Sequence, residues 1–180
     1  MTRAVTSVSG EALTGAVAFT DICGFTEFTA VRGDEDALQL LATQDRLVRA
    51  RLGLGARLVK EVGDGLLLWF PDASSALLTA LDLQDSFRAE EVASDLPLWV
   101  RIGIHWGNQR RRGDDLIGHD VNVAARVADV AGPTEVVVTE ALLSRCPVAQ
   151  HQLGWDAEEL GPVVMKGLPE ALRLFRVSRS

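Results

Sequence analysis

The chain predicts an α+β fold: a ferredoxin-like βαββαβ core with C-terminal additions and one sheet covered by helices. Three observations carry this. A short apolar run over 15–21 reads as a buried strand, and two further strand-like runs meet at Gly63-Asp64-Gly65. Amphipathic helical patterns separate these runs from one another and from an alternating stretch at 97–106.

Residues 1–13 are small and polar, a flexible lead-in to one domain over 14–180. The first strand, 15–21, ends on Asp21, and a glycine turn and a helix-like segment follow at once. A helix is expected over 36–51, with Leu38, Leu41, Leu47 and Leu52 on its inner face. Strands 56–62 and 65–70 form a hairpin, since Asp-Gly is a strong tight-turn signal. The helix 73–90 begins after Pro71-Asp72 and turns Ala76, Leu77, Ala80, Leu81 and Leu83 inward. Strand 97–106 leads into "NQRRRGDD", read as a polar loop. A helix over 119–131, capped by His119 or Asp120, stops at Gly132-Pro133. Strand 135–139, helix 140–146, a turn and a last strand near 171–177 complete the chain. This order places the helices over one sheet face.

At 180 residues and 47% apolar composition, the chain fills a single core. Its net charge of −7 argues against nucleic acid or an anionic membrane as the main partner. An anionic small substrate therefore needs a local patch of cations. Cys23 and Cys146 are too few for a disulfide framework, and no Cys/His cluster has zinc-ligand spacing. No leader pattern or run of about 18 apolar residues appears, so a soluble, reducing, cytoplasmic setting is expected.

Two constellations carry chemistry. In a ferredoxin-like core the first strand neighbours the central hairpin, so Asp21 and Asp64 can converge. Either acid alone reads as a loop cap or a hairpin turn. Two close carboxylates leave one protonated or take a divalent cation between them, and hard oxygen ligands suit Mg²⁺. Gly24 and the amides opening the next helix can cradle phosphate oxygens. In the second constellation, "GHDVNVAARVADVAG", Asn122, Arg126 and Asp129 fall at i, i+4 and i+7 as a polar stripe on an otherwise apolar helix. Such a stripe is ordinarily a solvated face. A guanidinium there wants an anionic partner, and a phosphate fits its planar fork.

Together these pieces resemble the catalytic domain of the class III nucleotidyl cyclases. The resemblance rests on Phe19-Thr20-Asp21-Ile22-x-Gly24-Phe25-Thr26, Lys60-x-x-Gly63-Asp64-Gly65 and Arg101-Ile102-Gly103-Ile104-His105-x-Gly107. It continues through Asp115-x-x-Gly118-x-x-Val121-Asn122-x-Ala124-Ala125-Arg126 to Lys166-Gly167, from about residue 14 to 177. It implies conversion of ATP to 3′,5′-cyclic AMP and pyrophosphate, as in bacterial adenylyl cyclases. On the same ground Asp21, Asp64 and the Ile22 carbonyl match the ligands of two Mg²⁺ or Mn²⁺ ions. Lys60 and Asp115 match the adenine readers, and Asn122 and Arg126 the catalytic pair at the ribose and α-phosphate. Arg101, Lys166, Phe25 and Thr26 match triphosphate contacts. The resemblance also implies a head-to-tail homodimer with two shared sites, one protomer giving the metal acids and the other giving Lys60, Asp115, Asn122, Arg126 and Lys166. His105 lies in a strand motif and reads as structural rather than as a base.

Adenine N1 accepts a hydrogen bond and its 6-amino group donates one, which suits Lys60 and Asp115. Guanine reverses both, and a site built on such bonds rejects the wrong base by up to about 10⁴-fold. Guanylyl cyclases resemble this pattern with an acid in place of Lys60 and a small residue in place of Asp115, so ATP is the expected substrate. The alternatives are a guanylyl cyclase and a nucleotide-binding dimerisation module without turnover. The stretch from His105 to Asn122 is shorter than in animal cyclases, and Trp106 stands where the family more often has a small residue. Arg110-Arg111-Arg112 reads as solvated surface.

Overall fold

A computed structural model describes residues 10–146 and 154–180. The elements run β1 (Glu11–Ile22), α1 (Phe25–Arg32), α2 (Asp34–Arg51), β2 (Arg57–Val62), β3 (Gly65–Phe70), α3 (Ala73–Ser94) and β4 (Val100–Arg112). They continue through β5 (Asp115–Ile117), α4 (His119–Val130), β6 (Val136–Thr139), α5 (Glu140–Leu143), β7 (Trp155–Val163) and β8 (Leu172–Arg179). The sheet order is β2-β3-β1-β4-β6-β8-β7, with β5 paired to β4. Its first four strands are antiparallel throughout and form the expected βαββαβ core. β6 joins β4 in parallel, and β8 and β7 extend the sheet antiparallel as the C-terminal addition.

Strand alternation distributes the core to two sides. Ala16, Ala18, Leu66, Leu68, Ile102, Ile104, Val136 and Val138 pack in one apolar cluster with Leu40 and Val48 of α2, Leu77 and Leu81 of α3, and Leu142 of α5. Val17 and Leu67 pack instead with Val121 and Ala124 of α4, and Val137 with Val123 and Val127. Helices therefore cover both sheet faces, not one. Among the described residues, the second face carries α4 and, beside it, apolar residues of the C-terminal segment such as Met165 and Leu168.

The structure departs from the sequence expectation in four places. β1 begins at Glu11 and pairs from Glu11↔Arg111 to Ile22↔Val100 with β4, so part of the expected lead-in is strand; residues 1–9 lie outside the described residues. The same pairing converts "NQRRRGDD" from a loop into the end of β4, a turn at Gly113 (φ +62°) and the start of β5. Its polar residues are held by the ladder: buried Gln109 accepts from Trp69 Nε1 at 3.1 Å and donates to the Gly15 carbonyl at 3.2 Å. In α2 the fully buried face is Ala37, Leu40, Thr43, Gln44 and Val48; of the expected residues Leu41, Leu47 and Leu52 are half-buried against the same core, and only Leu38 is exposed. Gln44 takes an inner place because its Nε2 donates to Thr20 Oγ1 at 2.8 Å. Finally, β7 escaped prediction because a register shift between Glu159 and Gly161 and an edge proline, Pro162, break its alternation. No helix among the described residues is long and apolar enough to cross a membrane.

Candidate active site

The end of β1 is fixed from two sides. Thr20, fully buried, accepts at Oγ1 from Gln44 Nε2 and from the Leu66 N–H at 3.1 Å. Gly65 then lies so close that a Cβ there would stand 2.0 Å from the Thr20 carbonyl oxygen and 3.4 Å from Asp21 Cα. Only glycine permits that approach. The hairpin tip is thereby pressed against the strand end, and Asp64 meets Asp21 electrostatically. Burial first, and then the negative charge of Asp21, push the Asp64 carboxyl above its ordinary range, while the N–H groups of Asp64 and Ile22 partly offset this.

Arg101, the register partner of Asp21 across β4, donates from Nε to Asp21 Oδ2 at 2.7 Å. It stands where a cation is wanted. The fit to divalent metal follows from this donor set. Two carboxylates and a backbone carbonyl are hard oxygen donors, and a cation would relieve the carboxyl that burial and repulsion disfavour. Among the described residues no group of three or more His, Cys, Asp or Glu is poised to hold a metal. A cation there takes its remaining ligands from water and phosphate oxygens, the usual habit of Mg²⁺.

Lys60 of β2 reaches Asp115 of β5, Nζ to Oδ2 at 2.7 Å. That hydrogen bond, with help from the Leu116 N–H and the charge of Arg112, holds Asp115 below the usual carboxylate range. Asp115 thus stays a pure acceptor at neutral pH. Both side chains remain accessible, at 44% and 39% exposure, and are available to a ligand.

α4 is seated on β4 without an intervening side chain. A Cβ on Gly103 would fall 2.1 Å from the Ala128 nitrogen. The expected caps are not used: Gly118 is the N-cap, with no side-chain hydrogen bond. Asp120 instead accepts the Asn108 N–H at 2.6 Å and lies 3.5 Å from His105 Nε2. Val121, Val123, Ala124, Val127 and Ala128 are buried, and Asn122, Arg126 and Asp129 form an exposed stripe. His105 is buried against Thr139, and burial pushes its pKa down. A neutral, enclosed imidazole fits a structural role.

A groove of about 510 Å³ gathers Asp21, Asn122, Arg126 and Lys166. An adjoining hollow shares Phe19, Val62 and Asn122 with it and brings in Lys60. Asp64 lines a different hollow, beside α2. Phe25 and Thr26 occupy the first turn of α1 after Gly24 (φ +75°), outside the groove. One groove residue was read from the sequence as part of the α4 stripe but given no role. Asp129 accepts from Arg126 Nη1 at 2.9 Å, and its signal was the i,i+3 spacing of opposite charges on one helix.

The profile of the adenylate and guanylate cyclase catalytic domain matches residues 11–178. A serine/threonine-protein kinase of Myxococcus xanthus is 31% identical over 91% of this chain, and a pH-sensitive adenylate cyclase of Mycobacterium tuberculosis is 31% identical over 95%. The chain spans 20% and 43% of the length of these two relatives. The crystal structure of the adenylyl cyclase CyaB from P. aeruginosa matches with a TM-score of 0.80 at 20% identity, covering 96% of this chain and 97% of that one. With the domain profile spanning both the acid-bearing hairpin and the α4 stripe, the chain belongs to the class III adenylate and guanylate cyclase catalytic domain family.

Proposed function

We propose that this domain is an adenylyl cyclase, a phosphorus–oxygen lyase that converts ATP to 3′,5′-cyclic AMP and pyrophosphate at a site shared by two copies of the chain. The observation that carries the choice of ATP is the Lys60–Asp115 pair at 2.7 Å. It presents an ammonium donor beside a carboxylate acceptor, the complement of adenine N1 and its 6-amino group. Against guanine, the ammonium faces the N1–H and the carboxylate faces the C6 carbonyl, and both encounters leave polar groups unpaired.

Asp21, Asp64 and the Ile22 carbonyl would hold two Mg²⁺ or Mn²⁺ ions, which when bound supply Lewis acidity at the 3′-oxygen and neutralise triphosphate charge. Asn122 orients the ribose so that the 3′-hydroxyl lies in line with the α-phosphorus. Arg126 faces the charge that grows on the α-phosphate oxygens, where a preorganised donor contributes most. Lys166, Arg101 and the first amides of α1, at Phe25 and Thr26, bind the β- and γ-phosphates. Two features of the α4 face support a second copy there. Val62 and Ile117 line its hollow while 44% and 45% exposed, and Asn122 and Arg126 stay exposed among the described residues.

The test compares ATP and GTP as substrates for the wild type and for Lys60→Glu with Asp115→Cys. The wild type is expected to form cyclic AMP in preference to cyclic GMP, and the double variant to lose ATP turnover while its relative GTP turnover rises. An unchanged preference for ATP in the double variant would reject the base-reading assignment.

A further inference from the structure

Asp129 belongs to the α4 stripe but has no task in the reaction described above. Its surroundings give it one. Its Oδ2 accepts from Arg126 Nη1 at 2.9 Å, and its Oδ1 lies 3.7 Å from Arg101 Nη2. Its backbone carbonyl accepts from Arg101 Nη1 at 3.3 Å, and Arg101 Nε is bonded to Asp21. One residue of the groove therefore holds Arg126 by its carboxylate and meets Arg101, which lies outside the groove lining, by both its carboxylate and its carbonyl.

Arg126 is a long side chain on an exposed helix face, 47% accessible, and among the described residues Asp129 is its only ion-pair partner. An exposed i,i+3 pair of this kind adds little to folding stability. What it does is restrict rotamers. With Nη1 committed to Asp129, the guanidinium has fewer orientations open to it at the groove it lines. Arg101 is held from the other side by both the carboxylate and the carbonyl of the same residue.

We propose that Asp129 is a positioning residue that preorganises Arg126 for the transition state, a role that rests on the cyclase reading above. The signature follows from charge. A carboxylate in the groove repels the triphosphate, so its removal does not weaken substrate binding. Loss of preorganised transition-state contact lowers kcat instead.

Steady-state kinetics with ATP and Mn²⁺ test this in Asp129→Ala and Asp129→Asn. Asp129→Ala is expected to lower kcat by about tenfold with KM unchanged or reduced. Asp129→Asn, which keeps an acceptor at the same reach, should stay within about threefold of the wild type. In an Arg126→Ala background, Asp129→Ala should change kcat by less than about twofold, because the partner it acts through is gone. A raised KM with intact kcat, or an equal loss in the Arg126→Ala background, would overturn the proposal. Arginine Nε–H relaxation by NMR gives a readout independent of turnover: the Arg126 guanidinium should become more mobile in Asp129→Ala, and unchanged mobility would also overturn the proposal. If the wild type forms no cyclic nucleotide, the cyclase reading falls by itself, and the Arg126 mobility comparison still decides whether Asp129 positions that side chain.

Discussion

Asp64 is the side chain on which stability and chemistry pull in opposite directions. Burial and the nearby charge of Asp21 raise its pKa, so the folded state holds the proton more tightly than the unfolded chain. The folded state is therefore favoured at low pH, and that advantage disappears as pH rises from the ordinary value of 3.8 through the raised one. At neutral pH without divalent cations, the ionised carboxylate costs stability. Asp64→Asn, whose amide oxygen can still accept from the Ile22 N–H, should melt higher in EDTA. The gain should be about 1–2 °C, since the group is only half-buried and solvent screens the repulsion. The gap should close below the ordinary carboxylate pKa, and a lower melting point at neutral pH would contradict the account. The same variant should lose about a thousandfold in cyclase rate, the effect of several kcal/mol at ~1.36 kcal/mol per decade.

At the scale of elements, α4 depends on one missing side chain. An alanine at 103 would place its Cβ 2.1 Å from Ala128 N, 2.4 Å from Ala128 Cα and 2.6 Å from Val127 C, all backbone atoms that cannot rotate away. The helix must shift, and Asn122 and Arg126 shift with it. Gly103→Ala is expected to cost about 1–3 kcal/mol by overpacking and to lower Tm by several degrees. Cyclic AMP formation should fall more steeply than the loss of folded protein explains; unchanged Tm and rate would show that α4 tolerates displacement from β4.

Element type was legible wherever burial imposed a period. β1, the β2–β3 hairpin and α3 followed their apolar patterns, and every α3 residue expected inward is buried. The misses share a physical cause. The Glu11–Thr14 and Asn108–Arg112 segments are held by backbone pairing between polar strands, which leaves no apolar alternation to read. On α2, Leu41, Leu47 and Leu52 pack against the core as expected, but Leu38 is exposed, and Gln44, bonded to Thr20, is buried where polarity alone argued for the outside. For the candidate residues, the proximity of Asp21 and Asp64 was legible through topology, and that of Lys60 and Asp115 only through resemblance. Asp129 was visible as a charge on a stripe, but its hold on two arginines needed coordinates.

For the whole molecule, a net charge of −7 makes the placement of cations decisive. Arg126 and Lys166 line one groove, and Arg101 reaches its edge at Asp129, where the proposed triphosphate would need them. The groove of a single protomer brings Asp21 beside Asn122 and Arg126, yet Asp64 lines a separate hollow. In a head-to-tail dimer each nucleotide would instead take its acids from one copy and its Asn–Arg stripe from the other. Mixing two variants decides between these arrangements: Asp64→Ala removes one half-site and Arg126→Ala removes the other. Each alone should be nearly inactive. After subunit exchange at equal concentration, half the dimers would be mixed and each would keep one of two sites intact, restoring roughly a quarter of the wild-type cyclic AMP rate. No recovery, with co-assembly of the two variants confirmed, would place the whole reaction within one protomer and contradict the shared-site account.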